Sequence, residues 1–194
     1  MEAKKNVRWD WLLHSPVRFN INDNTLVTHN EEGGFTATTH IISEQSCIYS
    51  QTNDFTEQPN ENLAIRGERL EKYWHLKATF RPSKSNRILT VIIINPDGKG
   101  RRKAVRCNKS GVVEVDGWSI SAELNVHKSA GIVITGKNKK SMFCYGKKSF
   151  ENEYGQEYKS KDKNASVLYD YKDGAWKSVE MVDRRLNPTY VTIK

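Results

Sequence analysis

Five histidines and three cysteines head the side chains in this sequence able to carry chemistry, and their spacing limits what that chemistry can be. His14, His29, His40, His75 and His127 fall in neither His-x-His nor His-x-x-x-His spacing. No metal centre is expected from this histidine spacing. His14 follows two leucines at a strand end and reads as a hydrogen-bonded structural residue. Cys47, Cys107 and Cys144 are too few and too far apart for a disulfide framework, and their spacing is not that of a zinc ribbon. Three buried free thiols are the expectation. The chain has no Gly-x-Ser-x-Gly elbow, and Gly98-Lys-Gly100 lacks the helix that a phosphate-cradling loop requires. A glycosidase pair needs two acids about 5–10 Å apart, which sequence alone does not locate. No catalytic residue and no cofactor follow from these patterns.

Basic residues say more. Lys99, Arg101, Arg102, Lys103 and Arg106 form one cluster, Lys137, Lys139, Lys140, Lys147 and Lys148 a second, and Lys159, Lys161 and Lys163 a third. If the first two project from the same end of the fold, they suit sulfates or carboxylates, with Arg giving bidentate contacts. The alternative is that charged turns keep sheet ends soluble and edges unpaired. Glycan contact is accordingly assigned to Lys99, Arg101, Arg102, Lys103, Arg106, Lys139 and Lys140. Most aromatics fall on expected core faces. Tyr145, Tyr154, Tyr158, Tyr169 and Tyr171 are the exceptions, and tyrosines beside lysines suit sugar rings and bases alike.

The formal charge is +8 (31 − 23) and the sequence pI is near 9.3, which favours polyanionic partners without choosing among them. No apolar run reaches the roughly 18 residues of a membrane span, and the polar start Met1-Glu-Ala-Lys-Lys-Asn has no secretory h-region. The apolar fraction, 37%, is low for a globular chain, but aromatics punctuate its whole length and anchor a fold.

These groups must be positioned by strands. Ile88 to Ile94 is aliphatic except for Thr90 and reads as a central strand buried on both faces, stopped by Asn95-Pro96-Asp97-Gly98. Period two puts Trp9 and Trp11 on one face of a strand that Pro16 ends. Arg18–Asn22 and Thr25–His29 read as a hairpin across Asp23-Asn24. Phe35–Ile42 and Cys47–Tyr49 follow as strands, and Gln51–Asn62 as a long loop. A helical turn is conceivable around Arg66–Leu70. Along Lys72–Phe80, the residues Trp74, Leu76, Ala78 and Phe80 should face the core, and Pro82 to Asn86 should turn. Further strands are Lys103–Cys107, Val112–Val115, Trp118–Leu124, Gly131–Thr135 and Ser141–Tyr145. Charged Glu151–Lys163 reads as a linker or mobile loop. Ala165–Tyr171 and Trp176–Val182 make a hairpin, and Thr189–Ile193 a final strand. Turn signals every 8–12 residues and the absence of long amphipathic helices give an all-β, antiparallel β-sandwich of two packed sheets. Residues 1–150 form its core, and residues 151–194 add a charged loop and a C-terminal hairpin to the same domain.

Trp11-Leu-Leu-His-Ser15 with Pro16, the Ile93–Pro96 strand end, and Val115-Asp-Gly-Trp-Ser-Ile-Ser-Ala-Glu-Leu124 resemble framework stretches in the C-terminal β-region of the heparinase II/III-like polysaccharide lyases. The likeness spans about Val7 to Thr135. It implies a helical toroid upstream, periplasmic or extracellular location, and an acidic, uronate-containing or sulfated glycan as partner. Such lyases cleave by β-elimination, and their proton-transfer residues lie upstream of the motif that begins at Trp11. The resemblance therefore implies a non-catalytic scaffold with possible glycan contact. A free-standing carbohydrate-binding module is the alternative, and a nucleic-acid-binding β-domain stands third.

Overall fold

The computed structural model describes residues 2–54, 72–96, 105–107, 112–146, 149–151, 157–159, 161 and 165–182. Among them every regular element is a strand and every strand pairing is antiparallel, so the fold is all-β. The chain gathers into two compact units, Met1–Arg102 and Lys103–Lys194.

The first unit is a β-sandwich. One layer holds β1 (Glu2–Ser15), β5 (Cys47–Thr52) and β6 (Trp74–Ser85), in the order β1-β6-β5. The other holds β2 (Asn20–Asn22), β3 (Thr25–Asn30), β4 (Phe35–Ile42) and β7 (Leu89–Pro96), in the order β2-β3-β4-β7. Alternation along β6 sends Leu76, Ala78 and Phe80 inward, where they meet Leu26, Ile41 and Phe19 from the facing layer. Trp9, Trp11 and Leu13 of β1 pack on the same cluster, as their period-two spacing requires. Burying each large member contributes about 1.5–3 kcal/mol, so this cluster is what holds the two layers face to face. The Gln51 amide ties in the β1–β2 connection: it accepts from Phe19 N at 3.1 Å and donates to Phe19 O at 2.9 Å, standing in for a strand partner.

Three local expectations are corrected. The aliphatic strand β7 is an edge, hydrogen-bonded among the described residues only to β4. Its inward positions Leu89, Val91 and Ile93 are buried, but Ile92 is 53% and Ile94 60% exposed. Ile92 and Ile94 point away from the facing layer, on the outer face of the four-stranded sheet, where nothing among the described residues buries them. Continuous hydrophobicity marks burial on both faces only where both faces have a neighbour. Second, Pro82 lies inside β6 and not in a turn. The register slips from Trp9↔Phe80 to Val7↔Ser83, which gives β6 one extra residue there. Proline is tolerated because a bulge frees it from the ladder. Third, part of the charged Glu151–Lys163 stretch is strand: β13 (Ser149–Glu151) pairs with β14 (Glu157–Lys159).

The second unit is built on a seven-stranded antiparallel sheet. Its strands are β8 (Val105–Cys107), β9 (Val112–Val115), β10 (Trp118–Ala122), β11 (Ala130–Gly136), β12 (Lys139–Tyr145), β15 (Ser166–Lys172) and β16 (Ala175–Val182), each beside the next in that order. Among the described residues Val113, Leu124, Cys144, Ala165 and Val167 are its buried apolar side chains. Tight turns join the hairpins. Asp116 and Gly117 both have positive φ, 51° and 77°, and so do Asp173 and Gly174, 54° and 78°, the signature of the two-residue turn that matches strand twist. The Arg66 turn, the Gln51–Asn62 loop beyond Asp54, and the Thr189–Ile193 strand lie outside the described residues.

Candidate functional site

Three hairpin turns line up along one end of the seven-stranded sheet. Ser119 pairs with Thr135, which sets the Asp116-Gly117 turn beside the β11–β12 turn, and Lys139 pairs with Lys172, which brings up the β15–β16 turn. Asp173 N donates to Asn138 O at 3.0 Å, tying the last two turns together. The basic stretch at Gly136–Lys140 thus splits, with Lys137 and Asn138 forming the turn and Lys139 and Lys140 opening β12.

Antiparallel register then sorts side chains by face. Trp118, Gly136, Lys139 and Lys172 make the row nearest the turns, followed by Ile120, Ile134, Ser141 and Asp170, then Ala122, Ile132, Phe143 and Leu168. On this face Trp118 and Phe143 are each 39% exposed and Leu168 40%. The indole has room because Gly136 carries no side chain: a methyl there would lie 2.7 Å from the six-membered ring. Counting two strand spacings across and four residues along, the two aromatics stand about 16 Å apart. Between them Ser141 Oγ donates to Asp170 Oδ1 at 2.5 Å, a polar pair on an otherwise apolar row. Around the turns a cleft of about 360 Å³ is lined by Glu114, Asp116, Trp118, Ser119, Thr135 and Lys137, among others.

Charge at this end is mixed. Lys139 sits directly opposite Lys172, and like charges across a ladder repel. Lys172 partly answers this with Asp173 at 3.8 Å, an exposed pair worth about 0–1 kcal/mol at most. The arrangement offers an aromatic platform, hydroxyl and carboxylate acceptors, and ammonium groups on one surface. Among the described residues no group of three or more His, Cys, Asp or Glu is placed to hold a metal ion.

Of the residues assigned to glycan contact from sequence, the structure places Lys139, exposed, and Lys140, half-buried, at this end. Arg106 is set by its backbone on β8 opposite Glu114. Lys99, Arg101, Arg102 and Lys103 lie outside the described residues, as do Lys147, Lys148 and Lys163. Lys159 and Lys161 are exposed. Trp118 and Phe143 were missed: both sit in strands that read as framework. The available signal was the glycine four residues after Ile132, across from a tryptophan that follows an Asp-Gly turn.

Two assignments in the first unit change. The rings of His14 and His75 meet at 4.6 Å between centroids, and neither makes a hydrogen bond among the described residues, so His14 is not the bonded structural residue expected. Cys47 is free but only half-buried, whereas Cys144 is buried and free. A second cleft, of about 440 Å³, is lined by Arg18, Phe19, Asn20, Ile21 and Gln51. Two of its polar groups are already engaged, Gln51 with the Phe19 backbone and Arg18 over the Trp74 ring at 5.3 Å. Burial holds the His40 imidazole below its ordinary value and pushes the Tyr49 phenol, beside Cys47, above its own. Neither residue belongs to the seven-stranded sheet. No protein-family model matches the chain, and no curated protein matches it.

Proposed function

We propose that this chain is a non-catalytic β-domain whose seven-stranded sheet contacts an acidic glycan through the face bearing Trp118 and Phe143. The observation that carries this reading is the pair of half-exposed aromatics on one sheet face, with Lys139, Lys172 and the Ser141–Asp170 pair among them. Sugar rings present apolar faces that stack on indole and phenyl, and their hydroxyls need acceptors and donors at the ring edge. Lysines at the row nearest the turns would meet uronate carboxylates, and the net charge of +8 would favour approach of a polyanion. Asp170 on this face and Asp116 and Asp173 in the turns argue for a glycan of moderate charge density over a heavily sulfated one, since each carboxylate repels sulfate. The likeness of the Trp11–Pro16 and Val115–Leu124 stretches to heparinase II/III-like lyases supports a scaffold role beside a catalytic helical toroid outside the cell or in the periplasm.

The test is titration of the purified chain with alginate, heparin, a neutral glycan and single-stranded DNA at two salt concentrations, read by tryptophan fluorescence. Saturable preference for a uronate glycan, lost in Trp118→Ala, is the expected result. Equal, salt-sensitive binding to every polyanion would reduce the surface to nonspecific charge. Preference for DNA would replace the glycan reading with the nucleic-acid one.

A further inference from the structure

We infer that His14 and His75 form a two-histidine chelate for a divalent transition-metal ion on the outer face of the β1-β6-β5 sheet. The two residues are direct partners in the β1–β6 ladder, so their side chains leave the sheet side by side on the same face. That face is the solvent side: along β1 the alternation puts Trp9, Trp11 and Leu13 into the core and leaves Asp10, Leu12 and His14 exposed. The rings lie 4.6 Å apart between centroids with 74° between their planes. Two imidazoles bound side by side at right angles to one ion, each nitrogen about 2.1 Å from the metal, have centroids about 4.5–5 Å apart. The separation therefore matches that of a chelate.

The other histidines show why this pair stands out. His29 Nδ1 is bonded to Thr36 Oγ1 at 2.9 Å, and His40 is buried with Nδ1 near Thr25 Oγ1 at 3.3 Å. Among the described residues no hydrogen-bonding partner competes for either ring of the His14–His75 pair. Two imidazoles, with no carboxylate or thiolate among the described residues completing the set, favour tetragonal Cu²⁺ or Ni²⁺, with water in the remaining positions. A bound ion would clip the end of β1 to the start of β6, and it owes nothing to the glycan surface of the other unit.

The experiment is calorimetric titration of the full chain with Ni²⁺ after alkylation of its thiols, alongside Cu²⁺ electron paramagnetic resonance. One ion per chain is expected, with superhyperfine structure from two nitrogens. His14→Gln and His75→Gln should each weaken Ni²⁺ at least tenfold, and His29→Gln should leave it unchanged. In wild type alone, Ni²⁺ should raise the urea midpoint, which reports the cross-strand clip independently of any variant's folding. Absence of a stoichiometric ion in wild type, or Ni²⁺ affinity unchanged in His14→Gln, would overturn the site.

Discussion

The six-membered ring of Trp118 occupies the space over Gly136 that any side chain at that position would claim. A methyl would come within 2.7 Å of the ring, and the ring is the rigid end of a bulky side chain. Gly136→Ala should therefore leave the sheet intact and move the indole. The expected readout is a shift in tryptophan emission with unchanged far-ultraviolet circular dichroism, and a loss of glycan affinity close to that of Trp118→Ala. Retained emission and affinity would mean the indole has another seat.

Lys139 stands directly across from Lys172. Under the proposed function, Lys139→Glu should weaken uronate-glycan binding by roughly tenfold or less, about 1 kcal/mol, and flatten its salt dependence, because an exposed charge acts through a screened field. The same change relieves a cross-strand repulsion, so stability should hold or rise slightly. Affinity at two salt concentrations, with a urea titration beside it, separates the effects.

Ile92 and Ile93 are neighbours with opposite fates. Ile93→Asp puts an unpaired carboxylate into a buried position, at a cost of several kcal/mol against a total stability of about 5–15 kcal/mol, and should unfold the first unit. Ile92→Asp sits at an exposed position on the edge strand and should cost no more than about 1 kcal/mol. Soluble expression and thermal melting of the two variants decide it. Unfolding of Ile92→Asp would place that side chain in a core.

His40 supplies a pH dependence. Burial penalises its charged form and holds it below the ordinary value of 6.5. The unfolded chain takes up the proton near 6.5 while the folded chain does not, so protonation favours unfolding. Stability linked to His40 is thus complete above pH 6.5 and declines as pH falls from there through the lower folded value. The drop in urea midpoint between about pH 7.5 and pH 5 should shrink in His40→Gln. An unchanged drop would assign the acid sensitivity to other groups.

Much of the fold was legible because period two is a local property. Trp9 and Trp11, the inward set Trp74 to Phe80, and the Asp-Gly turns at residues 116 and 173 each follow from a few neighbouring residues whose backbone preferences no distant contact had to decide. Strand order is different in kind. Whether Ile92 is covered depends on whether another layer packs on the outer face of its sheet, and nothing within Ile88–Ile94 records that. The exposure of Trp118 depends on Gly136 across the ladder, and the meeting of His14 with His75 on a register set some sixty residues away in sequence. Sequence by itself determined an all-β chain, its hairpins and the inward face of most strands. The tertiary structure alone decided which hydrophobic faces found no neighbour and which polar rings were brought together, because those outcomes are set by pairing between segments that carry no local mark of one another.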